Sequence, residues 1–85
     1  MVETDYAVPP GEFLHEWLDE NGLTEQQLAD NLGAPLDSVH DLLEGGELLP
    51  SIAQALAAVT GYSTGWWLKL EAQYQADRFR IAQEA

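Results

Sequence analysis

Apolar residues recur along most of the chain at spacings of three and four, the pattern of helices that bury one face. The first such stretch runs from Pro10 to Gly22, because proline suits the first turn of a helix and glycine its C-terminal cap. Acidic residues fill the positions between the apolar ones. The predicted inward face of this helix consists of Phe13, Leu14, Trp17 and Leu18.

Two short helices are predicted next. Thr24 and Gln27 have the spacing of a capping box, in which both side chains satisfy free backbone groups at a helix start, and Gly33 closes this second helix. A third helix begins at Ala34-Pro35 and ends at Glu44-Gly45-Gly46. The inward positions of the two helices are Leu28, Ala29, Leu32, Val39, Leu42 and Leu43.

Two more helices complete the prediction. The fourth starts at Pro50 and packs up to Gly61, and the fifth has Ser63 as its N-cap and continues to about Ala82. The packing positions of the fourth helix are Ile52, Ala53, Leu56, Ala57 and Val59, and the fifth helix runs through Trp66, Trp67, Leu70 and Tyr74. Helices with short connections and no strand signal predict an all-α domain of five helices.

The chain divides into three predicted parts. With 85 residues it supports one domain with one modest core. Residues 1–9 lack any period and end in two prolines, which predicts a flexible N-terminal arm. Residues 10–74 form the helical domain, and residues 75–85 extend its last helix.

Charge is distributed very unevenly along the sequence. The net charge is -12, and twelve of the fifteen acidic residues lie at or before Glu47. The only cations are Lys69, Arg78 and Arg80, all close to the C-terminus. An anionic surface of this kind repels nucleic acid and anionic membranes and speeds association with a basic protein. The alternative is a solvated acidic surface that serves solubility or adaptation to high internal salt.

Several function classes have no support in the sequence. Cysteine is absent and no signal peptide is recognisable, which favours a cytoplasmic protein. Residues 48–68 are uncharged, but their proline, glycine and hydroxyl residues argue against a membrane helix. His15 and His40 lack the spacing of a zinc site, and no nucleophile or phosphate-loop motif is present. We therefore predict a non-enzyme without metal or cofactor.

Two consecutive segments carry a family resemblance. The run PGEFLHEWLDENGLTEQQLADNLG, followed by APLDSVHDLLEGG, resembles the XRE-type, lambda-repressor-like helix-turn-helix fold of phage repressors. More narrowly, the chain is similar to the HigA antitoxins of toxin-antitoxin pairs. The opening Pro10-Gly11-Glu12 and the ending Trp67-Leu68-Lys69-Leu70 are the more specific parts of this likeness, which covers roughly Pro9 to Tyr74.

The resemblance implies a small dimer that binds a basic ribonuclease toxin and represses its own operon through a recognition helix. Where the family commonly has glutamine after the second-helix N-cap, this chain has Glu25, and the commonly basic turn is Gly46-Glu47. The commonly arginine-rich helix start is Leu36-Asp37-Ser38. Phosphate neutralisation supplies much of DNA affinity, so we expect weak or lost DNA binding. The candidate recognition face comprises Glu25, Gln26, Leu36, Asp37, Ser38, His40, Asp41 and Glu47.

A second candidate surface involves the last helix. Adjacent residues of a helix point about 100° apart, so either Trp66 or Trp67 could miss the core and serve an interface. The alternative is that Trp67 packs against the first helix and Trp66 covers the end of the fourth. An apolar stripe with Tyr74, Phe79 and Ile81 continues beyond the family likeness. The candidate partner or dimer surface comprises Trp66, Trp67, Tyr74, Arg78 and Phe79.

Three functional hypotheses follow. The leading one is a HigA-like antitoxin that acts mainly by binding a basic toxin, as a homodimer, with weak or lost DNA binding. The first alternative is a conventional DNA-binding repressor. The second is an acidic inhibitor, of a phage type, that mimics DNA and binds a host DNA-binding protein.

Overall fold

A computed structural model describes residues 7–84, with side chains as far as Gln83. Within these residues the chain forms five helices and no strand, so the predicted all-α fold is confirmed. The first three helices are α1 (Pro10–Asn21), α2 (Glu25–Leu32) and α3 (Leu36–Leu43). They are followed by α4 (Pro50–Thr60) and α5 (Thr64–Glu84).

Local signals set the helix ends close to the predicted positions. The capping box of α2 is present, with the Thr24 hydroxyl accepting from the Gln27 N–H and the Gln27 amide oxygen accepting from the Thr24 N–H. Ser63 caps α5, since its hydroxyl accepts a hydrogen bond from the Trp66 N–H at 3.0 Å. Pro35 is extended rather than helical, with ψ at 147°, so α3 starts one residue later than predicted.

All five helices contribute to one core, in which α5 packs against α4 and α1, α3 against α1 and α2, and α2 also against α4. Leu14, Leu28 and Leu56 are fully buried at the centre of this core, as the periodicity predicted. Leu48 is equally buried although it belongs to the α3–α4 connection, and its N–H donates to the Glu71 carboxylate of α5 at 3.3 Å. A single loop leucine has no periodic neighbours, which is why the sequence pattern did not mark it.

Helix α1 packs closely against α3. A side chain at Gly11 would overlap the carbonyl oxygen of Leu42, so only glycine permits this approach. Pro9 is also buried and lies near Gly45, although the sequence assigned it to a flexible arm. Residues 1–6 of the predicted arm lie outside the described residues. The packed domain therefore begins at least one residue before Pro10.

One predicted core position is on the surface. Phe13 is 39% exposed and contacts the edge of Trp66 on α5. The apolar arc of α1 is wider than the face that the core covers, because Leu14 and Leu18 already fill the central contact. Phe13 consequently faces the start of α5, whereas the half-buried Trp17 packs against the core and borders the same side of α1.

Candidate partner-binding surfaces

We call the eight predicted residues the recognition face. In the structure, the start of α2 lies beside α3 on this face. Its one cross-helix polar contact among the described residues joins Glu25, the first residue of α2, to His40 of α3. The carboxylate oxygen Oε1 of Glu25 lies 3.1 Å from Nδ1 of His40. The sequence named both residues, but fifteen positions separate them and only the fold shows that they meet.

This contact raises the pKa of His40 above its ordinary value of 6.5. The main cause is the hydrogen bond with Glu25, and the negative charge of the same carboxylate adds to it. Glu44 and Asp37 contribute weaker attraction. His40 is fully exposed, so the effect belongs to a solvated surface pair.

The other residues of the recognition face, both polar and apolar, are exposed to solvent. Gln26 donates to Asp30 within α2 at 3.0 Å, and Leu36 is 41% exposed at the start of α3 beside Asp37. A cleft of about 190 Å³, which we call the second acidic cleft, lies where this face reaches the start of α4. Its lining combines three predicted face residues with residues of α4 and the preceding loop: Ser38, Asp41, Leu42, Glu47, Leu49, Ser51 and Ile52.

No lysine or arginine belongs to the recognition face, because all three cations of the sequence lie on α5. Of these, Arg80 lies 4.0 Å from Asp77, and the Arg78 guanidinium lies 5.4 Å from the centre of the Tyr74 ring. Cations and recognition face therefore belong to different elements of the fold. In the described part of the chain, only a protonated His40 brings positive charge to the face.

A cluster of aromatic rings joins the start of α5 to α1 and to the α4–α5 loop. Tyr62 stacks on Trp66 with ring centres 4.4 Å apart and planes at 20°. The rings of Phe13 and Trp67 both pack edge-to-face with the Trp66 ring, with ring centres 6.0 Å and 5.0 Å from that of Trp66. Trp66 is thus the centre of the cluster while remaining partly exposed.

The cluster borders an open cleft of about 190 Å³, which we call the aromatic cleft. Four of its residues follow one face of α1 at positions i, i+3, i+4 and i+7. The complete lining is Phe13, Glu16, Trp17, Glu20, Tyr62, Trp66 and Trp67. The sequence predictions named only the two adjacent tryptophans, since α1 looked like a helix with one inward apolar face and a solvated acidic one.

The two adjacent tryptophans have different environments. Trp67 is 1% exposed and its indole N–H donates to the Thr60 hydroxyl at 3.2 Å, so it is a core residue. The sequence placed Trp67 in the candidate partner surface, whereas the structure places it in the core at the base of the aromatic cleft. Trp66 is half-buried against Phe13 and Tyr62, and part of its ring remains accessible beside the aromatic cleft.

The other predicted surface residues lie along the second half of α5. Tyr74 is half-buried beneath Arg78, whereas Phe79 is 69% exposed. A shallow groove of about 380 Å³ follows this part of the helix, lined by Gln75, Arg78, Phe79 and Ala82. The apolar stripe that the sequence indicated is thus partly uncovered in the single chain.

Residues 7–84 contain no group of three or more histidine or carboxylate side chains placed to hold a metal ion. None of the helices in the same range is long and apolar enough to cross a membrane.

These features define a helix-turn-helix protein with an extended last helix. No protein-family model matches the chain. Antitoxin HigA-1 from Vibrio cholerae serotype O1 (strain ATCC 39315 / El Tor Inaba N16961) is 35% identical over 65 residues, which are 75% of this chain and 62% of the relative. The chain thus corresponds to less than two thirds of that relative's length.

A solved structure gives the same relationship. It is an addiction module antidote protein of a HigA family from Coxiella burnetii, with a TM-score of 0.80 and 26% identity. The match covers 91% of this chain and 85% of that one. The chain is a helix-turn-helix protein of the XRE type that resembles the HigA family, as the sequence indicated. HigA antitoxins are non-enzymatic, in agreement with the prediction that this chain is not an enzyme.

Proposed function

We propose that the chain is a HigA-type antitoxin that works in the cytoplasm by binding a basic toxin protein and binds DNA weakly or not at all. The observation that carries the proposal is the absence of lysine and arginine from α1 to α4, together with the many carboxylates at exposed positions of α1, α2 and α3. The names of its relatives, an antitoxin and an antidote protein, supply the class of partner.

Electrostatics favours a basic protein as that partner. The surfaces of α1, α2 and α3 contribute negative charge with no lysine or arginine to offset it. Such a field accelerates encounter with a positively charged protein and suppresses approach of polyanions. Exposed aromatic rings between α1 and α5 add apolar contact area, which bare charge does not provide.

The same charges oppose DNA binding at the positions where helix-turn-helix proteins contact it. The N-terminus of a helix attracts phosphate through its free N–H groups and dipole. At α2 this end carries Glu25, whose carboxylate repels phosphate and also engages His40. Asp37 and Asp41 on α3 would approach further phosphates without a compensating cation.

The direct test asks whether a neighbouring reading frame encodes a small basic protein, and mixes that protein with the purified chain. We expect a complex whose affinity weakens as salt increases, and loss of the partner's toxicity when both are expressed together. A duplex containing the upstream region of the gene is expected to remain free at about 0.15 M salt.

Two outcomes would replace this proposal. Tight, sequence-specific retention of the duplex with a steep salt dependence would identify a conventional repressor. Competition with DNA for a host DNA-binding protein, without a toxin partner, would identify an acidic DNA mimic.

We further infer that two copies associate through the second half of α5. Phe79 is 69% exposed there, and the charges of Arg78, Arg80 and Asp77 nearly balance. Two copies can therefore approach along α5, whereas their acidic faces repel each other. Sedimentation of the full chain at micromolar concentration should give a dimer, and Phe79→Glu should give a monomer with unchanged helix content. A monomeric native chain would refute this arrangement.

A further inference from the structure

We propose that the aromatic cleft receives an arginine side chain of a protein partner, with its guanidinium against an indole ring and paired with Glu16 or Glu20. The inference rests on the proposed function in one respect, because it assumes that the partner is a basic protein. The cleft itself can be tested without that partner.

The size of the cleft favours one side chain as its occupant. Its volume of about 190 Å³ is several times the roughly 30 Å³ that a water molecule takes in the liquid. Small-molecule sites usually have volumes of about 300–1,000 Å³ and are more enclosed. A single long side chain from a partner therefore fits the space better than a cofactor or metabolite.

The lining has the chemistry that a guanidinium prefers. Trp17 and Trp66 offer indole surface from two helices, and Phe13 and Tyr62 continue it outward with 39% and 48% of their surface exposed. A planar guanidinium stacks on aromatic rings and is less strongly hydrated than the ammonium of lysine. An anionic or purely aliphatic side chain would gain less at these rings.

The two carboxylates lack a cationic partner within the described residues. Glu16 and Glu20 are exposed, one helical turn apart, and neither takes part in an ion pair there. Glu20 also lies in the last turn of α1, which carries no basic residue. The negative end of the helix dipole adds to the attraction of a cation at this position.

Comparison with the second acidic cleft, on the recognition face, shows which property distinguishes the aromatic cleft. The second acidic cleft has the same volume of about 190 Å³ and is bordered by Asp41 and Glu47, yet no aromatic ring lines it. Both clefts attract positive charge, but only the aromatic cleft can also stack a guanidinium. Carboxylate and indole surface together single out the cleft between α1 and α5.

The first experiment titrates the native chain with N-acetyl-arginine amide and follows the indole N–H signals by NMR. We expect saturable shifts of the Trp66 and Trp17 signals at millimolar probe. The neutral citrulline analogue, which has the same shape without the charge, should bind about 3- to 30-fold more weakly. Equal responses to both probes, or no shift at these indoles, would overturn the inference.

A matched pair of variants locates the site. Glu16→Gln/Glu20→Gln should reduce probe affinity by about 3- to 30-fold. Asp30→Asn/Glu44→Gln removes the same charge from exposed positions of α2 and the end of α3, and should leave the indole shifts unchanged. An equal loss in both variants would show that net charge alone attracts the probe.

The partner assay separates this inference from the proposed function. If the basic partner binds the native chain and binds Glu16→Lys/Glu20→Lys equally well, the aromatic cleft is not its arginine site although the antitoxin proposal stands. If no basic partner binds the native chain, the antitoxin proposal fails, and the probe titration still decides whether the cleft binds a guanidinium. We expect the charge-reversed variant to weaken the partner at least about tenfold.

Discussion

The recognition face and the aromatic cleft are both acidic, but their other properties differ. On the recognition face the carboxylates surround polar side chains, and the apolar residues of α3, such as Val39 and Leu42, are turned into the core. In the aromatic cleft the carboxylates of α1 flank exposed rings of Phe13 and Tyr62. The recognition face offers charge with exposed aliphatic side chains such as Leu36 but no phenylalanine, tyrosine or tryptophan ring, while the aromatic cleft offers charge together with exposed rings.

That difference separates two effects of acidic residues. Exposed charges change the rate of association and exclude the wrong class of partner, but they contribute little affinity by themselves. Affinity usually comes from a few well-packed aromatic or arginine contacts near the centre of an interface. We therefore expect the recognition face to disfavour DNA, and the aromatic cleft is the better candidate for binding a protein.

The largest expected effect concerns the floor of the aromatic cleft. Trp67→Ala should destabilise the domain by about 3–5 kcal/mol, because it removes a fully buried indole and its hydrogen bond to Thr60. Trp66→Ala should cost roughly 1–2 kcal/mol, since that ring is only half-buried. Urea unfolding followed by circular dichroism measures both.

Trp67→Phe provides a variant that keeps a ring in the core if the alanine variant does not fold. It should lie between the native chain and Trp67→Ala in stability, because packing is partly retained while the Thr60 hydrogen bond is lost. Equal losses for Trp66→Ala and Trp67→Ala would contradict the division between cleft wall and core.

The next effect reverses the charge of the recognition face. In the variant Asp37→Arg/Asp41→Arg/Glu47→Lys, three cations replace three exposed carboxylates. If each contacts a phosphate, non-specific duplex binding should weaken roughly fortyfold between about 50 and 200 mM salt, a log–log slope of about -3. The native chain should bind too weakly to give a measurable slope. Fluorescence anisotropy with a labelled duplex gives both values.

The matched control carries the same charge change on α1, as Glu16→Lys/Asp19→Arg/Glu20→Lys. Its slope should be shallower, because α1 is not the helix that a helix-turn-helix domain inserts into the groove. A slope as steep as that of the recognition-face variant would show that net charge, and not the position of α3, governs DNA binding.

Features that depend on nearby residues could be predicted from the sequence, whereas features that depend on how the helices pack could not. Helix ends depend on local chemistry, so the capping pair Thr24 and Gln27 and the N-cap Ser63 could be identified from the sequence. Burial depends on which helices meet, and periodicity alone therefore put Phe13 inside and overlooked Leu48.

The candidate surfaces divide in the same way. The acidic character of the recognition face could be predicted, because the whole segment from Glu25 to Glu47 contains carboxylates and no lysine or arginine. The aromatic cleft combines α1 with Tyr62 and Trp66, which are more than forty positions away, so its existence depends on the packing of α5 against α1. The adjacent tryptophans suggested that one ring is exposed, but only the fold shows that it is Trp66.

A smaller effect concerns the contact that joins the two regions. Gly11→Ala should cost about 1–3 kcal/mol, because the new methyl group would overlap the Leu42 carbonyl oxygen and push α1 away from α3. Gly65→Ala is the control within a helix, where the added carbon meets only the Ser63 hydroxyl at 3.9 Å. That variant should be neutral or stabilised by about 0.5–1 kcal/mol. Thermal unfolding that ranks Gly65→Ala below Gly11→Ala would disprove the close α1–α3 contact.

The smallest expected effect is the pH dependence of the recognition face. The hydrogen bond with Glu25 raises the pKa of His40, so protonated His40 is favoured in the folded chain. Its stabilising contribution is fully present below the unfolded-state pKa of about 6.5 and is lost as the pH rises through the higher folded-state pKa. Because the pair is exposed, the change in stability should be slight, and the histidine titration itself is the better measurement.

An NMR titration of His40 in a His15→Gln background follows a single ring. Glu25→Gln should lower the His40 pKa, since it removes the nearest negative charge and the acceptor that favours the charged ring. Glu47→Gln removes a carboxylate that is not among the causes of the shift and should leave that pKa nearly unchanged. If Glu25→Gln left the pKa of His40 unchanged, the side-chain contact between Glu25 and His40 would not exist in solution. Protonated His40, the one positive charge that the described residues bring to the recognition face, would then lack the hydrogen bond that favours it.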